Sequence, residues 1–580
     1  MIIGIDLGTT NSVAGWVGTD GPRLLTGTFG ENLVPSVVGV EESGEVAVGK
    51  IARELQVLQP ERCAAAFKRQ MGTDWTCQLA GREFTAVTLS SLVLGAIKRD
   101  AEAQLGEPVS RAVITVPAYF NEHQRRATMQ AGELAGLKVE RIVNEPTAAA
   151  LAYGLHESQQ EKVVVVLDLG GGTFDVTIVD FFEGALEVRA SSGESFLGGE
   201  DFTNALAARL LQQQGLFYER VEVEQPLRVS RLRQQCEVAK KLLSRQPDAT
   251  VRLPDAQGNF PEDSPSLTVT RQEFESWTAH ILDRIEVPIR RALGDAGLTR
   301  SDIAEVILVG GATRMPAFVE KVVELFGKQP RCSINPDEVV AMGAAVQAGL
   351  IAGDKSVSEM VVTDVAPFTM GISTSKEFGE EIRDGYFLPI INRNSTIPLS
   401  RVKRVVTVYA NQTSIRVNVY QGESRRVENN IQLGSFEVLD IPLGPPGQEL
   451  DVRFTYDLNG VLEVEATVVA TKRKVSQVIT RHVHGLSKEQ IGNAVQAMQS
   501  LKVQPREEAT NRLLLRRAER IYQELSLDGR RVLERLLDGF EQILETGSKD
   551  EIANYRSELG EFLAQFDSEG EGQITDANDW

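Results

Sequence analysis

A glycine- and threonine-rich loop occurs twice in this chain, each time directly after an apolar run that predicts a buried strand. The first copy spans residues 2–13 (IIGIDLGTTNSV) and the second spans residues 164–176 (VVVLDLGGGTFDV). Such a segment bends tightly and points backbone N–H groups at one anion. Two copies, one in each half, therefore predict two halves that close on a single nucleotide phosphate chain.

Composition narrows the classes of protein to which this chain can belong. At 580 residues, it has room for about three or four domains of about 150 residues each. It contains no apolar run of about 18 residues, so we expect no membrane span and no membrane partner. Strand-like residues follow Met1 directly, and we expect no secretory signal. The formal charge of −20 argues against a nucleic-acid partner and is typical of acidity that aids solubility.

The cysteines and histidines do not indicate a zinc site. The sequence has no CxxC motif, and five histidines are few for metal binding. Isolated cysteines are typical of a reducing compartment, so we expect a cytoplasmic protein. These cysteines are Cys63, Cys77, Cys236 and Cys332.

Residues 1–354 alternate strand-like apolar runs with helical stretches, which predicts α/β layers. The stretch that follows, 355–363, is polar and acidic except for an apolar patch, Met360 to Val362. We interpret it as an interdomain linker whose apolar patch can dock. From 364 to 485 every signal predicts strands, and Asn459-Gly460 between two alternating runs indicates a hairpin turn. We expect this region to be a compact β-sandwich.

The last part of the chain has a helical pattern. Ser487 with Gln490 and Ser548 with Glu551 predict capping boxes. An apolar stripe at three- and four-residue spacing predicts a packing helix; it comprises Val532, Leu533, Leu536, Leu537, Phe540, Ile543 and Leu544. We expect a small helical bundle over 486–567 and a disordered acidic tail over 568–580.

The residue types of the first loop suit phosphate binding. Gly8 permits close backbone approach, Thr9 and Thr10 add hydroxyl donors, and Asp6 ends its strand where a carboxylate can hold Mg²⁺ through water. The alternative is an ordinary glycine-rich turn. The second loop weakens that alternative, because its consecutive glycines lose more backbone entropy on folding than a turn requires.

A third glycine-containing segment, Gly310-Gly311-Ala312-Thr313-Arg314, also follows an apolar strand and is a candidate contact for the adenosine half of the ligand. None of the three segments is a GxxxxGK[ST] loop or a GxGxxG fingerprint. The fold should therefore be neither a P-loop enzyme nor a Rossmann dehydrogenase.

Six motifs occur in a fixed order: IGIDLGTTNS, TVPAYFNEHQR, RIVNEPTAAALAYG, LDLGGGTFDV, LGGEDF and LVGGATRMP. Together they resemble the seventy-kilodalton heat-shock chaperones, the DnaK-type family. The resemblance implies an α/β actin-like two-lobed ATPase domain, a β-sandwich domain and a short α-helical lid. The short segment that follows the second loop, the short lid, FKRQMG and NVYQGE look most like the HscC-type branch.

The resemblance implies catalytic roles for Lys68, Glu145, Thr173 and Asp175. Without it, a solvated surface lysine is the preferred interpretation of Lys68. Glu145 is also consistent with a helix-start carboxylate that the helix dipole stabilises, and both roles can hold at once. ATP or ADP, Mg²⁺ and possible K⁺ are the implied cofactors, with Asp6 and Asp168 as metal residues acting mostly through water. The implied nucleotide-binding residues are Asp6, Gly8, Thr9, Thr10, Asn11, Asp168, Gly170, Gly171, Gly172, Thr173, Gly198, Gly199, Glu200, Glu237, Lys240, Lys241, Ser244, Gly310, Gly311, Arg314 and Asp337.

Some of these residues have simpler explanations. Glu237 with Lys241 is equally consistent with a solvated helical ion pair. Ala312 stands where many relatives carry a serine, so one hydrogen bond to the base is expected to be missing.

The resemblance also implies partners and an allosteric path. Pro117 and Arg125 match a proline switch and its relay arginine, although a loop proline and a surface arginine are the alternatives. Arg141 matches a contact for J-domain cochaperones. Phe387 and Ile415 match an arch residue and a central pocket for extended apolar peptides, or else belong to the core. The clients would be unfolded polypeptides, and dependence on an exchange factor is doubtful because the segments before and after CEVAKK are short.

The implied function is a slow ATPase whose hydrolysis controls client binding by the β domain. Two alternative functions come from other classes of protein. A sugar kinase or actin-like filament protein would use the same cleft but leaves residues 364–567 without a role. A nucleotide-regulated holdase or exchange factor would not need Lys68, Glu145 and Thr173.

Overall fold

The structure is a computed structural model, and it describes residues 1–19, 21–154, 161–182, 185–354, 357, 361–378, 381–457, 462–478, 514–515, 518, 527–546 and 549–567. The chain divides into two compact units. The described residues of the first unit lie within Met1–Phe368 and Asn392–Ile397, and those of the second lie within Thr369–Ile391 and from Pro398 onwards.

The N-terminal half of the first unit is built on a mixed sheet. Its strands are β1 (Ile2–Asp6), β2 (Asn11–Gly18), β3 (Gly21–Leu24), β4 (Val34–Pro35), β5 (Val37–Val40), β6 (Val46–Val48), β7 (Cys63–Ala65), β8 (Thr76–Leu79), β9 (Arg82–Thr85), β10 (Arg111–Val116) and β11 (Lys138–Asn144). Its helices are α1 (Lys50–Leu58), α2 (Ala86–Leu105), α3 (Glu122–Leu134) and α4 (Glu145–Gly154). The main sheet has the order β11-β10-β1-β2-β3.

The C-terminal half of the first unit has a second mixed sheet. Its strands are β12 (Lys162–Leu169), β13 (Phe174–Phe182), β14 (Ala185–Glu194), β15 (Asp248–Arg252), β16 (Ser266–Thr270), β17 (Glu305–Val309) and β18 (Val361–Val365). Its helices are α5 (Gly199–Gln213), α6 (Tyr218–Glu224), α7 (Pro226–Leu243), α8 (Arg271–Leu282), α9 (Glu286–Ala296), α10 (Pro316–Phe326) and α11 (Val339–Ala352). The main sheet has the order β17-β12-β13-β14-β18.

The duplicated loop sits at the same place in two sheets of the same design. In the first sheet, β1 runs parallel to β10 and antiparallel to β2. In the second, β12 runs parallel to β17 and antiparallel to β13. Each loop therefore joins two adjacent antiparallel strands at the end of a buried parallel pair. The repeat in sequence corresponds to a repeat in topology.

Helices α4 and α11 pack against each other between the two sheets, and α11 also packs on β1 and β2. A Cβ atom at Gly343 of α11 would lie 1.6 Å from the carbonyl oxygen of Ala148 on α4. At Gly4 of β1, a Cβ atom would lie 2.1 Å from the carbonyl carbon of Ala344. Only glycine allows the backbones to approach this closely.

The segment predicted as a linker contains a strand in its second half. β18 runs across the predicted boundary between residues 363 and 364, and its first residues pair in parallel with the start of β14. The backbone of Val361 and Val362 therefore belongs to the second sheet. Met360, which we predicted to share the docking patch, lies outside the described residues.

The second unit contains two four-stranded antiparallel sheets. The remaining strands of the chain are β19 (Met370–Phe378), β20 (Glu381–Ile391), β21 (Thr396–Ile397), β22 (Leu399–Val406), β23 (Ile415–Gln421), β24 (Ile431–Val438), β25 (Glu449–Tyr456), β26 (Leu462–Val468) and β27 (Lys474–Val478). The sheet orders are β20-β19-β23-β24 and β22-β25-β26-β27, whereas β21 pairs with β18 in the first unit.

Strand β26 alternates as predicted but is buried on both faces. Leu462 and Val464 face one side, and the side chains of Glu463 and Glu465 on the other side are also buried. Glu465 forms ion pairs with Lys474 and with Arg453. The predicted turn Asn459-Gly460 lies outside the described residues, but the strands on either side of it pair antiparallel.

Two described helices, α12 (Leu527–Thr546) and α13 (Lys549–Asp567), follow the sheets and pack together. Leu533, Phe540 and Leu544 of the predicted stripe are buried between them. Ser487, Gln490, Ser548 and the tail 568–580 lie outside the described residues. Within the part of the chain that the structure describes, no helix is long and apolar enough to cross a membrane.

Candidate nucleotide site

The two glycine loops meet and fill each other's space. A Cβ atom at Gly171 would lie 2.0 Å from the Oγ1 atom of Thr10. A Cβ atom at Gly172 would lie 3.0 Å from the Cγ2 atom of Thr9. The threonine side chains of the first loop therefore occupy the volume that the second loop leaves open by having glycines. Gly8 is equally constrained, because a Cβ atom there would lie 2.0 Å from the Asn11 carbonyl oxygen.

The second loop is held by the N-terminus of helix α5. The backbone N–H of Gly199 donates to Gly170 O (2.9 Å), and that of Glu200 donates to Gly171 O (2.9 Å). The loop closes on itself through the N–H of Gly170, which donates to Thr173 O at 3.1 Å. The first N–H groups of α5 are therefore used to hold the loop, and the positive end of the helix dipole points at it, which favours an anion nearby. The motifs DLGGGT and LGGEDF thus form one structural block.

Lys68 and Glu145 form a buried ion pair with an Nζ–Oε1 distance of 2.6 Å. Lys68 lies in the short 3₁₀ helix Phe67–Gln70 after Ala66, which has a left-handed φ of 53°, and its Nζ atom is 5.7 Å from the centre of the Phe120 ring. Glu145 is the first residue of α4. The lysine is only 3% exposed, so it is not the solvated surface residue of the alternative interpretation.

Three aspartates surround this pair at the ends of the central strands. Asp6 accepts a hydrogen bond from the Thr115 hydroxyl (2.9 Å), and Asp175 accepts one from the Tyr119 N–H (3.1 Å). Burial, reinforced by the charge of Glu145, raises the pKa of Asp6 and of Asp175 to about 7 each. Burial and the neighbouring carboxylates also raise the pKa of Asp168 well above its usual value. The site therefore concentrates more negative charge than Lys68 alone balances.

The carboxylate set is compatible with a hydrated divalent cation. The Oδ2 atom of Asp175 is buried and has no hydrogen-bond partner among the described residues. Oxygen ligands and retained water are what Mg²⁺ prefers, and a cation would lower the cost of holding these carboxylates ionised. Among the described residues, no three His, Cys, Asp or Glu side chains form a cluster that could hold a metal ion directly.

Helix α7 contributes residues with unequal exposure. Lys240 is buried, and its Nζ atom donates to Gly199 O (2.8 Å) and Thr203 Oγ1 (2.9 Å) and pairs with Glu237 at 2.6 Å. Lys241 is exposed and lies 3.3 Å from Glu237. Lys240 thus supports the N-terminus of α5, whereas Lys241 forms the solvated helical ion pair. A small pocket lies beside this group, between α7, α8 and α10, and its lining includes Ser244.

The third glycine segment packs directly on the second loop. Gly310 has a φ of 83°, and a Cβ atom there would lie 2.4 Å from Leu169 O. A Cβ atom at Gly311 would lie 2.5 Å from the Oδ1 atom of Asp337. Arg314 pairs with Asp337 at 2.9 Å. The segment therefore continues the cleft wall formed by DLGGGT.

A hydrogen-bonded path leads from the site to strand β18, and sequence reasoning identified only its beginning. Arg125, in the helix that follows Pro117, donates to the Oδ1 atom of Asn144 at 2.6 Å. The Nδ2 group of Asn144, the residue before Glu145, donates to Asp364 at 3.0 and 3.1 Å. Burial raises the pKa of Asp364, and the nearby cations Arg125 and Arg141 oppose the shift. Asn144 and Asp364 belong to no glycine motif, and only their position beside Glu145 and β18 could have indicated them.

A second connection within the first unit involves the short loop Asn392–Ile397. Arg393 pairs with Asp295 at 2.8 Å. Asn394 accepts a hydrogen bond from the Ser191 N–H at 2.9 Å. This loop lies between β20 and β22 in the chain, so residues that separate two strands of the second unit belong structurally to the first.

The two predicted peptide-contact residues lie in the first sheet of the second unit. Phe387 is buried on β20 opposite Ser373, and its N–H donates to Arg425 O at 2.9 Å. Ile415 is partly buried at the start of β23, opposite Val438. They lie on non-adjacent strands, because β19 separates β20 from β23.

The chain matches the protein-family model described as "Hsp70 protein" over residues 2–80 and 75–528. It is 42% identical over 510 residues to the chaperone protein DnaK of Thermotoga neapolitana, an alignment that covers 85% of this chain and 83% of the relative. The same identity and coverage hold for DnaK of Thermotoga petrophila. DnaK of Thermosipho africanus is 41% identical over 507 residues, which cover 85% of this chain and 82% of the relative.

Proposed function

The chain belongs to the Hsp70 family, and on that premise we propose that the cleft between its two glycine loops hydrolyses ATP to drive a cycle of peptide binding. It is an ATP-dependent chaperone and an ATPase that uses ATP and ADP with Mg²⁺ and acts on unfolded polypeptides with cochaperones. The observation that supports the site most strongly is the buried Lys68–Glu145 pair beside Asp6, Asp168 and Asp175, of which the last two are also buried.

In the proposed mechanism, the ammonium group of Lys68 balances charge on the γ-phosphate, and Glu145 accepts a hydrogen bond from the attacking water. The Thr173 hydroxyl orients the γ-phosphate, and Asp175 orients water through its unpartnered oxygen. Phosphoryl transfer requires mainly this positioning and charge stabilisation. When bound, Mg²⁺ neutralises phosphate charge; Asp6 and Asp168 would hold it through water. K⁺ is a proposed further ion.

The nucleotide would lie along the cleft, with its phosphates between the two loops and its adenosine towards α7 and the third glycine segment. Its backbone contacts would come from the glycines of the three loops, beside the positive end of the α5 dipole, which favours anions. Lys240 is fully engaged inside the protein, so its proposed role is to hold that N-terminus in place. The side chains proposed to contact adenosine are Glu237, Lys241, Ser244, Arg314 and Asp337.

We propose the domain boundaries 1–354 for the ATPase, 355–363 for the linker, 364–485 for a β-sandwich and 486–567 for a short helical lid, with 568–580 as a tail. The sandwich would bind an extended apolar segment by backbone hydrogen bonds. Phe387 would arch over the peptide, and Ile415 would line its central pocket.

Coupling between the sites is proposed to pass through the path Arg125–Asn144–Asp364. Asn144 is covalently next to Glu145, and Asp364 lies in the strand that leads into the second unit. A change at the γ-phosphate that moves Glu145 would therefore alter the hydrogen bonds of β18. Because coupling is reciprocal, bound peptide should also change nucleotide affinity.

The remaining assignments rest on the resemblance. Arg141, whose neighbour Asp364 belongs to the coupling path, is the proposed contact for a J-domain cochaperone. Dependence on an exchange factor is proposed to be weak. The chain is proposed to be cytoplasmic and to lie in the HscC-type branch.

The proposal is tested by measuring the affinity of a fluorescently labelled apolar peptide for the full chain with ATP and with ADP. We expect tighter binding with ADP, by about tenfold, because a coupling free energy of this order is typical of allosteric proteins. The matched control is the same peptide with alternating aspartates, which cannot fill an apolar pocket. Equal affinity in the two nucleotide states would contradict the coupling, and no binding of either peptide would contradict the peptide site.

A further inference from the structure

Arg69, the neighbour of the catalytic candidate Lys68, connects the two halves of the cleft. Its Nη2 atom lies 2.7 Å from the Oδ2 atom of Asp201 in the first turn of α5. Both side chains are largely buried, with 14% and 23% of their surface exposed. We call Arg69 and Asp201 the cleft latch. Since Arg69 belongs to the N-terminal half and Asp201 to the C-terminal half, opening the cleft requires this pair to break.

The cleft latch is built into the phosphate loop. The oxygen of Asp201 that pairs with Arg69 also accepts a hydrogen bond from the Gly198 N–H at 2.8 Å. A Cβ atom at Gly198 would lie 2.5 Å from the N atom of Gly172, and one at Gly172 would lie 2.6 Å from the Nε atom of Arg69. The guanidinium therefore packs on the second loop, and its position is coupled to the backbone N–H groups there.

The guanidinium also lies near an exposed aromatic ring. Its central carbon lies 6.0 Å from the centre of the Phe196 ring, and Phe196 is 58% exposed. The Nε atom is buried and has no hydrogen-bond partner among the described residues. Arg69 thus lies between Gly172 of the loop and a solvent-exposed ring, with one N–H group available to an anion. Arginine is suited to phosphate because its donors form a rigid fork.

We propose that the cleft latch controls the departure of inorganic phosphate after ATP is cleaved. This inference rests on the proposed nucleotide site, because the phosphate must be released beside Gly172 and Lys68. While Arg69 pairs with Asp201, the 3₁₀ helix that carries Lys68 stays on the loop and retains the phosphate. When the pair opens, Arg69 leaves Gly172 and the anion can escape on the Phe196 side. Arg69 is a positioning residue and does not take part in bond cleavage.

The test separates cleavage from release in a single turnover of the full chain with Mg²⁺ and ATP. Cleavage is measured by acid quench, and release is measured with a fluorescent phosphate-binding protein. In the parent protein, release should lag behind cleavage. In Arg69→Gln, release should accelerate by about tenfold, the effect of losing one charge-assisted hydrogen bond, while the ADP dissociation rate changes less.

Two further variants keep the test decisive. Asp201→Asn retains an acceptor for the Gly198 N–H but removes the charge that pairs with Arg69, and it should shorten the lag as Arg69→Gln does. Arg233→Gln breaks the 2.7 Å pair of Arg233 with Glu200, which lies wholly in the C-terminal half, and should leave the lag as in the parent.

The possible outcomes are distinct. No lag in the parent, or equal slowing of cleavage and release in Arg69→Gln and Asp201→Asn, would overturn the proposal and leave Arg69 a structural role. Failure of every variant and of the parent to cleave ATP would instead count against the proposed nucleotide site. If Arg69→Gln does not fold, as judged by circular dichroism, the lag between cleavage and phosphate release in Asp201→Asn decides whether the cleft latch retains phosphate.

Discussion

The two glycine loops of the ATPase unit share a topology but differ in chemistry. Both join antiparallel strands beside a parallel neighbour, so both place an aspartate at the end of a central strand. At the two positions after Asp-Leu-Gly, however, the first loop has Thr9 and Thr10 and the second has Gly171 and Gly172. The threonines fill the space that the glycines leave. A repeated element has thus become a complementary pair, in which neither copy can replace the other.

The charged residues around the loops extend the same asymmetry. The first half contributes the cations Lys68 and Arg69 from one short helix as well as the carboxylates Asp6 and Glu145, whereas the second half contributes the carboxylates Asp168, Asp175 and Asp201. Closing the cleft therefore brings opposite charges together as well as complementary shapes. The site therefore exists only when both halves of the cleft meet, and the following variants test this.

Activity should change most when the proposed catalytic cation of the first half is removed. Lys68→Ala should lower the hydrolysis rate by about a thousandfold, because preorganised charge is worth that much at a developing transition state. ATP affinity, measured by calorimetry, should change far less. Lys50→Ala removes an exposed lysine that pairs with Glu31 at 2.8 Å and serves as the control. Undiminished steady-state hydrolysis by Lys68→Ala would contradict its catalytic role.

A smaller effect should follow from filling the space between the loops. Gly171→Ala should weaken ATP binding by about tenfold, since its Cβ atom would overlap Thr10 Oγ1 and displace one loop. Gly170→Ala, where the nearest atom to a Cβ would be 3.9 Å away, should weaken binding less. In a double-mutant cycle, Thr10→Ala should restore part of the affinity of Gly171→Ala. Additive losses would mean that the two loops do not interlock.

Communication away from the site should depend on Asn144. Asn144→Ala removes the hydrogen bonds to Arg125 and Asp364 but no group of the loops. It should lower the ratio of ADP-state to ATP-state peptide affinity by about fivefold, the low end of typical coupling, with a small change in basal hydrolysis. Asn32→Ala, which loses a 3.0 Å hydrogen bond to Glu338, is the control. An unchanged affinity ratio in Asn144→Ala would remove this residue from the path.

A last prediction concerns stability and leaves the activity of the site aside. Because the pKa of Asp175 is raised from 3.8 to about 7, the folded state holds a proton that the unfolded state has lost between these values. Nucleotide-free protein should therefore lose stability as pH rises from about 4 to 7, by about 1.4 kcal/mol per pH unit for this group.

Thermal unfolding measured across this pH range should reveal the slope of the free energy of unfolding against pH. Asp175→Asn should reduce it, although Asp6 and Asp168, whose pKa values are also raised, still contribute. Asp74→Asn, which changes an exposed carboxyl, should leave it unchanged. Mg²⁺ with ADP should also reduce the slope, because a cation favours the ionised carboxylates. A parent protein that gains stability from pH 5 to 7 would contradict the prediction.

Much of this site could be predicted from the sequence because its signals are local. An apolar run followed by Asp-Leu-Gly predicts a strand and a tight loop, and β1 and β12 end where this pattern places them. The duplication in sequence also predicted two equivalent halves. The order of the six motifs identified the family, which the Hsp70 match confirms.

The remaining contacts could not be predicted because they join residues that are far apart in sequence. Arg69 and Asp201 are separated by 132 positions, and Asn144 and Asp364 by 220. Neither pair lies in a periodic pattern, and whether a charged side chain is buried depends on packing by other elements. The burial of Lys240, next to the exposed Lys241 on the same helix, has the same cause.

The close approach of α11 to β1 has a consequence for how the protein is made. The first strand of the chain is covered by a helix that ends at Ala352, and Gly4 touches Ala344. During synthesis, more than half of the polypeptide must leave the ribosome before α11 is available to cover the first sheet. During that interval, the apolar residues of β1 lack the helix that covers them in the folded unit. The packing of the first strand is therefore completed late in the synthesis of the chain.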